Sequence, residues 1–100
     1  MAKGYWIAQV NVKNPDGYKQ YTAMLPDIFP KHGGRYVTRG GAMEIMEGKS
    51  HPRLVIIEFP SYQAALDCYR SAEYAKAIAV RQAAADANLI VAEGYDGPQP

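Results

Sequence analysis

"RLVIIEFPSYQAALDCYR", Arg53 to Arg70, decides the fold. Its first seven residues, Arg53–Phe59, form an apolar run rich in β-branched side chains. Such a run predicts a central strand covered on both faces. Pro60 stops it, and Ser61 offers the side-chain oxygen of a helix N-cap. Behind Ser61 the pattern turns helical, with Tyr62, Ala65, Leu66 and Tyr69 as the expected buried stripe. Ser71 is a second cap and opens "AEYAKAIAVRQAAADA", so the helix is expected to break there into two segments. "NLIVAEGY", Asn88 to Tyr95, is the last strand, and the chain then frays into "DGPQP".

Upstream, "GYWIAQVNV" (Gly4 to Val12) reads as the first strand. Trp6, Ala8, Val10 and Val12 share one face, and Tyr5, Ile7, Gln9 and Asn11 the other. "NPDGYKQYTAMLPDIFPKHGG" then reads as helix. Asn14 caps it, Pro15 suits its first turn, and Asp16 sits at the positive end of its dipole. Tyr18, Tyr21, Leu25 and Ile28 fall at helical spacing and should face the sheet. Pro26 kinks this helix or ends its regular part, and Pro30 with Gly33 and Gly34 terminates it.

"RYVTRGGAMEIMEG" (Arg35 to Gly48) is the second strand, interrupted at Gly40 and Gly41. Paired glycines after Arg39 raise the possibility of a phosphate cradle, but such cradles lead from a strand into a helix N-terminus. Here they lead into what reads as more strand. A β-bulge at the glycines that re-aims Arg39 is the better reading, with glycine also permitting close approach of a ligand or backbone.

The order strand, helix, strand, strand, helix, strand is the split βαβ arrangement. It predicts an α+β, ferredoxin-like βαββαβ fold: one four-stranded antiparallel sheet with helices on one face. The single domain spans residues 1–96, with 97–100 as a flexible tail. The other face, with Ile7, Ile56 and Val91, is too apolar to leave wet, so a two-fold homodimer, sheet against sheet, is expected.

A formal charge of +1 with scattered acids and bases leaves no basic stripe for a run of phosphates, which argues against nucleic acid. Cys68 is the only cysteine, so no internal disulfide forms and a reducing cytoplasm is expected. No apolar run approaches membrane-spanning length, and the N-terminus lacks a signal-peptide core. No histidine or cysteine spacing suggests a metal, and no fingerprint suggests a cofactor.

"GYW" near the start, "GGRYVTRGG", "RLVIIEFPS", "YRSAEYAKA" and a late arginine, in that order, resemble a bacterial family of small proteins, the domain-of-unknown-function family thirteen-thirty. The resemblance covers Gly4 to Gly94. It implies membership of the dimeric α/β-barrel group of ferredoxin-like folds and no particular activity. Wider relatives of that group include cofactor-free monooxygenases, lactone isomerases and haem enzymes, so chemistry does not follow from the fold.

Several side chains are candidates for function. Arg39 and Glu58 are charges within strands and should be paired or functional. Strand parity does not decide whether they face each other. A small polar or anionic organic ligand is expected in a cleft between the first helix and the sheet. Arg39, Tyr21, Tyr18, Gly40, Gly41, Tyr74 and Arg81 would contact it; for Arg81 the alternatives are a solvated side chain or a pair with Glu58 or Glu73. Glu58, if burial raises its pKa, and His32, if it points into the cleft, are the acid–base candidates. His32 equally suits a helix C-terminal cap. The alternatives are a non-catalytic dimeric module, in which the strand charges set register, and a cofactor-independent monooxygenase or isomerase by fold analogy.

Overall fold

A computed structural model describes residues 2–100. Its elements are β1 (Gly4–Val12), α1 (Pro15–Met24), two 3-10 turns (Leu25–Asp27 and Phe29–His32), β2 (Arg35–Arg39), β3 (Arg53–Phe59), α2 (Tyr62–Tyr69), α3 (Ala72–Ala84) and β4 (Ala85–Glu93). The strands form one antiparallel sheet in the order β2-β3-β1-β4. The α+β, ferredoxin-like fold expected from the sequence is the one observed.

The caps work as the sequence implies. Asn14 Oδ1 accepts from Gly17 N at 3.1 Å, Ser61 Oγ from Ala64 N at 3.0 Å and Ser71 Oγ from Tyr74 N at 3.2 Å. Each satisfies a backbone donor that the first helical turn leaves without a partner. Pro26 ends the α-helix and gives way to 3-10 geometry, because its ring cannot sit within an i to i−4 ladder. Gly33, in the left-handed region at φ 74°, closes the last turn.

Trp6 organises the core. It is fully buried, its indole N–H donates to the Ala65 carbonyl at 2.8 Å, and its ring meets Phe29, Phe59, Tyr69 and Tyr74 at centroid distances of 4.7–5.6 Å. Each such aromatic pair contributes about 0.5–1.5 kcal/mol beyond simple burial. The fully buried residues of α2 are Ala65 and Cys68; of the expected stripe Ala65 is buried, Leu66 and Tyr69 are half-buried and Tyr62 is exposed. Small residues there let the helix lie close to Trp6.

Five expectations need correction. β4 begins at Ala85, directly after α3, where the alanine-rich stretch reads as helix. Pairing of Ala85–Asn88 with Gln9–Val12 overrides local helix preference. β2 ends at Arg39: Gly40 turns the chain at φ 67°, its N–H donates to Leu54 O at 2.8 Å, and "AMEIMEG" forms no strand. The bulge lies at Val37, between Tyr36 and Thr38, and not at the glycines. Val91 pairs with Trp6 and lies on the helix side, whereas Ile90 pairs with Ile7, which pairs with Ile56. The open face therefore carries Ile7, Ile56 and Ile90, and Ile90 is 62% exposed. β3 is central, as expected, but in the single chain it is covered on one face only: Val55, Ile57 and Phe59 are buried and Leu54 and Ile56 half-buried.

Candidate functional site

Strand pairing settles the relation between Arg39 and Glu58. Arg35 pairs with Glu58 and Tyr36 with Ile57; after the bulge, Thr38 pairs with Ile56 and Arg39 with Val55. Directly paired residues share a face. Glu58 thus lies on the open side and Arg39 on the helix side, so the two do not meet. Glu58 Oε1 takes the Lys3 ammonium at 2.7 Å and Oε2 the Arg35 guanidinium at 3.4 Å. The Lys3 hydrogen bond, assisted by Arg35, outweighs desolvation and holds the carboxyl below its usual range. The carboxyl is thus held ionised at neutral pH, and the raised pKa on which its expected acid–base role depended is not found.

Arg39 lines a cleft of about 240 Å³ between the end of α1, the 3-10 turns and β2. Thr22, Leu25, Pro26, Phe29 and Tyr36 supply its other walls, and Arg35 stands at its edge. The Arg39 guanidinium lies 4.8 Å from the Tyr36 ring centroid. Burial raises the Tyr36 pKa and Arg39 pulls it partly back, so the phenol stays protonated. A mostly apolar cleft with a cation on its wall suits an organic anion with an apolar body.

Tyr21, Tyr74 and Arg81 meet elsewhere, in the interior between α1, α3 and the sheet. The Tyr21 and Tyr74 hydroxyl oxygens are 2.7 Å apart, and Arg81 Nη1 donates to the Tyr74 hydroxyl at 2.8 Å. Burial pushes both phenol pKa values upward, for Tyr74 against the opposing pull of Arg81, and both remain neutral donors. Tyr18, Tyr21 and Arg81 line an enclosed space of about 20 Å³. Arg81 pairs with neither Glu58 nor Glu73.

Arg53 is a residue that sequence reasoning missed. It pairs with Val10 at the start of β3 and so points to the helix side, where its guanidinium lies 5.4 Å from the Tyr18 ring centroid. Its register opposite Val10 was the available signal. Gly40 lies so close beneath this guanidinium that a Cβ there would collide with it. Gly41 has open space around it and lines neither cavity. His32 ends the second 3-10 turn, is half-buried, and also lines neither. The single ligand-contacting set expected from the sequence is thus split. Arg39 belongs to the outer cleft, Tyr18, Tyr21, Tyr74 and Arg81 to the interior, and Gly40 serves the backbone.

Arg39, Arg53 and Arg81 share one further property. The side-chain ion pairs of the described residues join Lys3 and Arg35 to Glu58, Lys13 to Asp86 and Lys31 to Glu73, so none uses these three arginines. Among the described residues, no group of three or more His, Cys, Asp or Glu is placed to hold a metal ion, and no helix is long and apolar enough to cross a membrane.

Fold and cavities together define a small α+β protein of ferredoxin-like topology with arginine-bearing cavities on its helix side. The chain belongs to the family described as Domain of unknown function (DUF1330), which matches residues 3–95. Among solved structures it is similar to a protein of unknown function from Rhodopseudomonas palustris, with 24% identity, 96% of this chain and 85% of that chain covered, and a TM-score of 0.73. It is also similar to SnoaB, a cofactor-independent oxygenase from Streptomyces nogalater, with 13% identity, 100% and 97% coverage, and a TM-score of 0.65. Likeness at these identities shows the shared fold. No curated protein matches the chain.

Proposed function

We propose that the protein binds a small organic anion, an aromatic or aliphatic carboxylate, in the outer cleft between α1 and β2. The observation that carries this reading is the placement of Arg39: on the cleft wall, over Tyr36, with no carboxylate partner among the described residues. Apolar walls hold the body of the ligand and the guanidinium forks onto its carboxylate. Titration calorimetry with benzoate against neutral benzamide, and with longer aliphatic acids against their amides, tests this. Carboxylates should bind and amides should not, and Arg39→Ala should abolish binding with a melting temperature close to wild type. Equal binding of amides, or binding retained in Arg39→Ala, rules the reading out. Oxygen uptake with quinol precursors tests in addition whether the cleft hosts an oxygenase reaction of the kind named for SnoaB.

The row Ile7, Ile56 and Ile90 supports a second element of this reading, a homodimer formed sheet against sheet. The three lie side by side across the middle of an otherwise open face, and burying them on a second copy removes that apolar stripe from water. Sedimentation equilibrium reports it directly, and a monomer at micromolar concentration sinks it. The single thiol, Cys68, is buried and unpaired, in keeping with a reducing cytoplasm.

A further inference from the structure

The interior cluster carries an inference that does not rest on the outer cleft. Arg81 is 7% exposed, and no ion pair among the described residues neutralises it. Its Nε is buried without a hydrogen-bond partner. A buried charge without a counter-charge is heavily penalised, and a buried N–H without an acceptor adds to that penalty.

Hydrogen-bond polarity sharpens the point. Arginine only donates, so the Tyr74 oxygen accepts from Arg81 Nη1. Tyr74 is fully buried, and its hydroxyl lies 2.7 Å from that of Tyr21, with either group able to donate. With Tyr74 donating, the Tyr21 proton is free to point away from Tyr74. Tyr21 and Arg81 both line the space of about 20 Å³, whose other walls are Tyr18 and apolar side chains such as Trp6, Val10 and Ile57. A space of that size holds one particle about as large as a water molecule. Water could accept both hydrogen bonds but would leave the charge uncompensated.

We propose that this space is a site for one monatomic anion, a halide, held by the Arg81 Nε–H and the Tyr21 hydroxyl. The ion would supply the missing counter-charge, and it would tie α1, through Tyr21, to α3, through Arg81.

The test uses the intact protein and three probe salts, sodium chloride, sodium bromide and sodium formate, with sodium gluconate at matched ionic strength and pH as the bulky control. Ligand that binds only the folded state raises the melting temperature with the logarithm of its concentration once that exceeds Kd. Chloride or bromide should do so and gluconate should not, and the difference should vanish in Arg81→Gln and shrink in Tyr21→Phe. Chloride-35 NMR of the wild type gives a readout that needs no variant: broadening that bromide reverses and formate leaves intact marks a halide site. The proposal is overturned if formate alone stabilises, if gluconate stabilises as well as the halides, if none of the salts stabilises, or if a folded Arg81→Gln protein retains the difference.

Discussion

Arg39 stands over the Tyr36 ring, 4.8 Å from its centroid, although the two are three positions apart in the strand. Odd spacing in a regular strand puts two side chains on opposite faces. Val37 and Thr38 together oppose Ile56, and that extra residue restores the common face. Were Val37 paired regularly instead of bulged, Arg39 would oppose Leu54 and project onto the open side with Glu58.

Deleting Val37 should therefore preserve the side on which Arg39 lies, since Thr38 and Arg39 then continue the pairing with Ile56 and Val55 without interruption. The melting temperature should change by only a few degrees, and carboxylate binding should persist. Loss of binding in a folded deletion variant would show that the twist of the bulge, and not only its parity, aims the guanidinium.

Gly40→Ala should destabilise and Gly41→Ala should not. Gly40 has φ 67° and its missing Cβ would meet the Arg53 guanidinium, while Gly41 has open space. A left-handed conformation costs a side chain about 1–2 kcal/mol. In a domain of this size that lowers the melting temperature by roughly 4–8 °C per kcal/mol. Parallel thermal melts of the two variants decide it; equal melts would refute the assignment.

Glu58 gives a pH dependence with a definite sign. Its folded-state pKa is lowered from 4.5, first by Lys3 and then by Arg35. A depressed carboxylate pKa contributes stability above the unfolded value and loses it as pH falls through the folded value. The stability difference between wild type and Glu58→Gln should be fully present at pH 7 and fade below about pH 4.5. Denaturant titrations across that range measure it. A difference that grows on acidification would mean the carboxyl is not held by those two cations.

Burial pushes the Cys68 thiol up to about 12, with a smaller contribution from Glu73. Native protein at pH 8 should thus resist iodoacetamide, and unfolded protein should alkylate rapidly. Fast labelling of the native state would place the thiol at the surface.

Ile90→Lys should convert a dimer to a monomer without unfolding the chain, because Ile90 is 62% exposed in the single copy. Sedimentation with a thermal melt separates dissociation from misfolding. An unchanged dimer would move the interface away from the isoleucine row.

What was legible in the sequence was local chemistry. Asn14, Ser61 and Ser71 cap because their oxygens reach donors within the next three residues, and Pro26 breaks a helix because of its own ring. The site was legible only as residue types. Tyr74 and Arg81 meet because seven residues are about two helical turns. Tyr21 and Arg39 do not line one cavity, because α1 turns tyrosines inward and ends beside β2. Arg53 escaped attention because the start of an apolar strand resembles a solvated turn until its partner, Val10, is known.

The amino-acid sequence by itself determined the order of elements and hence the ferredoxin-like fold, since capping, proline breaks and hydrophobic periodicity act over a few residues. Only the tertiary structure decided which arginine faces which cavity. That choice depends on strand register, where one extra residue at Val37 reverses a face, and on packing between segments far apart in the chain. Arg81 becomes a buried charge without a carboxylate, and Glu58 a carboxylate held by Lys3 and Arg35, only when the sheet and helices close around them.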